Sequence, residues 1–173
     1  RAGRRVLAVA SKELSSSDYD DEKDEIALSF IGCVSFIDPI KETAVKAIED
    51  ARKLNVGIKI LTGDSKEVAG QVAFDVKLAK SPGDVLTAKE FFELSDEDRQ
   101  TTLEQINVFA RVSPEEKYKI IKLLQAKYQV GFLGEGINDA PALKVANVAI
   151  VVDSASDIAR EAADIILLER SLS

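Results

Sequence analysis

Three short stretches carry the residue types that could do chemistry. Thr62-Gly63-Asp64 follows the apolar run Ile58 to Leu61 and puts a hydroxyl, an unhindered amide and a helix start together, donors suited to a phosphoryl oxygen. The plain alternative is a strand-to-helix turn with Asp64 or Ser65 as the N-cap. Ser113-Pro114-Glu115-Glu116 reads as a capping box with Pro at the first helical position. On the helix that it starts, Lys117 shares a stripe with Ile120, Ile121, Leu124 and Tyr128, where a lysine either extends toward an anion or snorkels to water. The third stretch is Gly134-Glu135-Gly136-Ile137-Asn138-Asp139-Ala140-Pro141. Its carboxylates, Glu135 and Asp139, stand four residues apart across a Gly-rich turn and can converge on a hard cation such as magnesium. A dinucleotide fingerprint built on Gly134, Gly136 and Asp153 competes, but Glu135 would then lie against a pyrophosphate. An acidic turn capped by Asn138 and Pro141 is the bland reading. In chain order, phosphate donors, a lysine and paired acids are the equipment of magnesium-assisted phosphoryl transfer.

Such residues must be carried to one place by the ends of strands. Lys41 to Leu54 has helical periodicity, and Ser65 to Val76, Pro114 to Tyr128, Asp139 to Ala146 and Ser156 to Ala163 read as further helices. Between them lie strand-like runs at Ile58 to Leu61, Val108 to Ala110, Val130 to Leu133, Val148 to Val152 and Ile165 to Leu168. Val85 to Thr87 with short helices over Lys89 to Leu94 and Asp96 to Gln105 looks like an insertion. The expected fold is α/β, a doubly wound, mostly parallel sheet with helices on both faces, whose ligands sit beyond the carboxyl ends of the strands. A short N-terminal β segment precedes it, with runs at Arg5 to Ala10 and Ala27 to Ile37 around a solvated acidic loop, Ser15 to Glu25.

Composition removes several other chemistries. With no His among 173 residues, imidazole-based nucleophilic catalysis and His-ligated metals are excluded. A net charge of −7 argues against nucleic acid as a partner and suits a cation site. The single Cys33 lies in an apolar run and is expected to be a small buried hydrophobe. No stretch has the roughly 18 apolar residues of a membrane span. The absence of any Met places the numbering inside a longer or processed product.

The three stretches, with Ala110-Arg111-Val112-Ser113 and Ala142-Leu143 beside them, resemble the phosphorylation domain of P-type cation-transporting ATPases, members of the haloacid dehalogenase (HAD) superfamily. The likeness runs from about Arg4 to Leu172. Val56 to Ser65, Leu133 to Leu143 and Asp157 to Ser171 look most like magnesium-translocating members. The resemblance implies that Thr62 and Gly63 hold a phosphoryl group, that Lys117 balances its charge and that Asn138 fixes the phosphate-side geometry. Asp139 and Glu135 would ligate Mg2+, while Asp64 and Arg111 lie toward ATP or the hinge. It further implies residues 1–38 as a remnant of the nucleotide-binding domain and residues 39–173 as the HAD-like phosphorylation domain, with Asp38-Pro39-Ile40-Lys41-Glu42-Thr43 as the entry. The partners would be the remaining domains and membrane helices of a parent pump, at the cytoplasmic face of a membrane.

Two departures matter. The Asp-Lys-Thr-Gly-Thr segment that carries the family's phosphorylated Asp is absent, so the chain alone is expected to be inactive and to bind magnesium weakly. The fold also loses the central strand of that segment, leaving either a gap or a substitute such as Phe30 to Ile37. The other departure is Glu135, where the family has Asp, which moves a carboxylate out by one methylene. Two rival readings are a stand-alone HAD-type phosphatase using Asp38, with Thr43 as a degenerate companion, and a non-catalytic HAD-like regulatory module.

Overall fold

Alternating small and β-branched residues make strands of Arg5–Ser11 (β1) and Ser29–Phe36 (β2), paired antiparallel with an irregularity between Val9 and Ala10. Between them the side chain of Asp20 accepts the amides of Glu22 and Lys23 and starts a single helical turn, Asp21–Asp24 (α1). A solvated loop was the expectation there; a capping Asp before acidic first-turn residues is what converts it. The computed structural model describes residues 5–14, 19–36 and 40–168, and the chain divides into two units, Arg1–Pro39 and Ile40–Ser173. Cys33 is exposed on the hairpin rather than buried. The apolar run around it covers no core among the described residues of its unit, where Val6, Leu7, Phe30 and Ile31 are also exposed.

The second unit alternates helix and strand: Glu42–Lys53 (α2), Ile60–Leu61 (β3), Lys66–Asp75 (α3), Leu86–Thr87 (β4), Ala88–Phe92 (α4), Asp96–Gln105 (α5), Val108–Ala110 (β5) and Pro114–Gln125 (α6). Gly131–Gly134 (β6), a 3-10 turn at Ile137–Asp139, Ala140–Val145 (α7), Val148–Val152 (β7), Asp157–Glu161 (α8) and Ile165–Leu167 (β8) complete it. Every strand pairing in this unit is parallel, giving one sheet of order β3-β5-β4 and another of order β6-β7-β8. Successive residues of β5 point to opposite faces. Val108 and Ala110 pack with Ile48 of α2 and with Ala69 and Ala73 of α3, whereas Phe109 packs with Phe91 of α4, Leu103 of α5 and Ile120 of α6. Helices therefore cover both faces, the expected α/β architecture. Phe109 and Phe91 meet edge to face at 5.0 Å between centroids, a favoured aromatic geometry. In the other sheet, Ala149 and Val151 of β7 pack on Leu143 of α7 and Ala159 of α8.

The parallel sheet is in two halves. Among the described residues, β3 has only β5 as a neighbour and β6 only β7. Ile60 and Thr62 donate their amides to Asn107 and Phe109 on the β5 side, so the amide of Leu61 points away from β5. The expected strand Ile58 to Leu61 shrinks to two residues, as an edge with one partner should. Phe30 to Ile37 does not supply a substitute, because Ser29–Phe36 is bonded to β1 in the other unit. Asp38, the nucleophile of the rival phosphatase reading, lies outside the described residues.

Candidate active site at the carboxyl ends of the strands

Ser65 caps α3 by accepting the amide of Val68, which is the ordinary half of what the first stretch does. The rest is less ordinary. The Thr62 hydroxyl accepts the amide of Asp64 at 3.1 Å and donates to the Asp64 carboxylate at 3.0 Å, closing a tight polar loop after β3. That loop is tied to the next crossover through the amide of Val112 on Thr62 O and the amide of Arg111 on Asp64 O, both at 2.9 Å. Arg111 pays a conformational cost for this, with a left-handed φ of 53° that a side-chain-bearing residue seldom adopts. The Thr62 loop thus lies beside the start of α6. There Ser113 accepts the amide of Glu116, and the Glu116 carboxylate returns to the amide of Ser113, as the motif required.

From that fixed start Lys117 does not snorkel. Its ammonium lies 2.7 Å from Asp139 Oδ1, and the side chains of both residues are only 14% exposed. Asp139 Oδ2 accepts the amides of Glu135 and Gly136 at 3.1 and 3.2 Å. Burial alone would push this carboxyl up; the Lys117 ammonium and the two amides outweigh it, so the pKa lies below the usual carboxylate value. The dinucleotide reading fails on the same contacts, because amides that would cradle a pyrophosphate are already given to a carboxylate. The bland reading is corrected too: the residue that organises the turn is Asp139, the N-cap residue of α7, while Pro141 occupies the first turn of that helix. Gly134 makes this fold-back feasible. A Cβ there would stand 2.7 Å from Cβ of Asp139, whereas one at Gly136 would meet nothing closer than 3.8 Å. The sequence marked Gly134 as a turn residue, and nothing in it revealed this close packing.

Of the eight residues singled out from the sequence, Lys117 and Asp139 are brought into direct contact, and Thr62, Asp64 and Arg111 are joined through the loop bonds. Gly63 sits in the same loop, where a Cβ would approach Val112 O only to 4.0 Å. Asn138 lies inside the 3-10 turn. Glu135 is exposed, its carbonyl held by the amide of Ser156 before α8.

The donor set can be tested against magnesium. Among the described residues no group of three or more His, Cys, Asp or Glu side chains gathers in one place. A caged calcium or structural zinc would need such a group. Magnesium needs one or two carboxylates, completed by water and phosphoryl oxygens. Asp139 with Glu135 on the same turn fits that requirement. No helix among the described residues is long and apolar enough to cross a membrane.

A family model described as haloacid dehalogenase-like hydrolase matches residues 2–147. Over 99% of its length the chain is 45% identical to "Magnesium-transporting ATPase, P-type 1" of Escherichia coli (strain K12), and the same name and identity recur in Salmonella typhimurium (strain LT2). It is 36% identical over its whole length to "Calcium-transporting ATPase 1" of Bacillus cereus (strain ATCC 10987). The chain spans about a fifth of the length of these curated relatives, 19% and 20%.

Proposed function

Because the chain belongs to the haloacid dehalogenase-like hydrolases, we propose that it is the phosphorylation domain of a P-type cation-transporting ATPase, with Mg2+ the cation favoured by its similarity to magnesium transporters. The observation that carries the reading is the half-buried Lys117–Asp139 pair, on a helix whose start is tied to the Thr62-Gly63 loop at the ends of parallel strands. Thr62 Oγ1 and the Gly63 amide hold the oxygens of a phosphoryl group, and the Lys117 ammonium balances their charge. Asn138 fixes the phosphate side of the turn, and Asp64 and Arg111 face ATP or the hinge. Asp139 and Glu135 would hold magnesium, which supplies charge neutralisation at the phosphoryl oxygens.

In this reading residues 1–38 close the nucleotide-binding domain, residues 39–173 form the phosphorylation domain, and the other partners are the remaining domains and membrane helices of the pump. The aspartyl nucleophile and its strand come from another part of that polypeptide, between β3 and β6. The isolated chain is therefore expected to form no acyl phosphate. Incubation with acetyl phosphate or ATP and magnesium tests this: no acid-stable, hydroxylamine-labile label is expected, and robust labelling would overturn the placement of the nucleophile outside this chain.

A further inference from the structure

Two helices that start at the carboxyl end of the β3-β5-β4 sheet lie on its opposite faces. α3 packs Ala69 and Ala73 into one core cluster, and α4 packs Ala88 and Phe91 into the other. An ion pair joins their starts. The ammonium of Lys66, the first residue of α3, lies 2.9 Å from each oxygen of the Glu90 carboxylate in the first turn of α4. Lys66 is badly placed for its own helix, because a cation in the first turn opposes the helix dipole. Local helix energetics therefore do not explain this lysine; the carboxylate across the sheet does. Glu90 is itself firmly held. Its Oε2 also accepts the Thr87 amide at 2.7 Å and the Thr87 hydroxyl at 3.0 Å. Thr62 stands four residues ahead of Lys66, and residues 62–64 are tied on their other side to the crossover after β5 by the amides of Val112 and Arg111. The loop that opens α3 is thus anchored from two directions, by backbone bonds to that crossover and by a side-chain pair to α4.

We propose that Lys66 and Glu90 are positioning residues for phosphoryl transfer: their ion pair straps the start of α3 to α4 around the carboxyl end of β5 and so fixes the Thr62-Gly63 loop where a phosphoryl group is held. The proposal rests on the phosphoryl-transfer reading of that loop. With side chains 36% and 47% exposed, the pair adds little to stability. Its effect falls on the placement of the loop, where a displacement of about 1 Å can cost about 100-fold in rate.

The test is made in the full-length protein carrying this chain, by following acid-stable, hydroxylamine-labile phosphate incorporation over a range of ATP concentrations with Mg2+. Lys66→Met and Glu90→Gln are each expected to lower the rate at saturating ATP about tenfold and to leave the half-saturating ATP concentration near the wild-type value, the mark of an interaction made in the transition state. Gln at position 90 can still close the capping box of α4. The double variant is expected to lose no more than either single one, because both remove the same bond, and Lys66→Arg is expected to keep most of the wild-type rate. Thr87→Ala loosens the start of α4 but leaves the Lys66–Glu90 pair, so it should label at the wild-type rate. Single variants that label like the wild type, or losses that add in the double variant, would overturn the strap and leave the phosphorylation domain standing. A wild type that never labels would overturn the proposed function, and the strap with it.

Discussion

Asp139 is the residue on which most of the site's order depends, and its charge is used twice, by a lysine and by a turn. Asp139→Asn leaves the Lys117 ammonium partly buried and without its partner, and is expected to cost about 1–3 kcal/mol in urea unfolding. Because the folded carboxyl is depressed, its contribution to stability is complete above the unfolded carboxylate value, near 3.8, and is lost as the pH falls through the lower folded value. The acid limb of the stability profile should therefore flatten in the Asn variant. Gly134→Ala forces Cβ against Asp139 and is expected to cost about 1–3 kcal/mol, whereas Gly136→Ala, with φ of −103° and open space, should fall within about 0.5 kcal/mol of the wild type. The place of Lys117 was legible in the sequence because the Ser113 and Glu116 box sets the helix phase. The roles of Asn138 and Asp139 in the turn were not, since both side chains can cap and only the fold-back over Gly134 separates them.

At the scale of elements, chain signals worked where they were local. A capping box gave the start of α6; a second box, not singled out from the sequence, starts α4, where the Glu90 carboxylate returns to Thr87 and its pKa is held down to about 2 by the Thr87 amide and the Lys66 ammonium. Thr87→Ala should cost about 1 kcal/mol through loss of that cap. Its effect on activity should be nil, since Thr87 has no contact with the Lys117 site. Phe109→Ala removes the one β5 side chain that joins α4, α5 and α6, and is expected to cost about 3–5 kcal/mol by the same unfolding assay. What the chain could not show was how long each strand would be, or which apolar run covers a core. β3 is short because, among the described residues, one side lacks a partner. The run around Cys33 has the same texture as a buried strand, yet stays exposed in its own unit, and only tertiary contacts separate the two cases.

At the largest scale, the second unit carries two three-stranded parallel sheets, and the Thr62 loop and the Gly134–Asp139 turn follow β3 and β6, one from each sheet. With β3 bonded on one side only among the described residues, the amide of Leu61 should exchange with solvent faster than those of Val108 and Phe109, a difference hydrogen exchange can read directly. The α/β class was legible because helix and strand periods alternate along the chain. The division of the sheet was legible only through the resemblance, which pointed to either a gap or a substitute strand where the family's nucleophile strand runs. On the proposed function, transport and ATP hydrolysis belong to a longer polypeptide that includes this chain, and the decisive measurement is made there: acid-stable, hydroxylamine-labile phosphate incorporation from ATP with Mg2+ in the full-length protein carrying this chain. Labelling of the wild type is expected, with a loss of about 100-fold or more in Asp139→Asn. A full-length protein that never labels, or an Asp139→Asn variant that labels at the wild-type rate, would contradict the assignment of this chain as a phosphoryl-transfer domain.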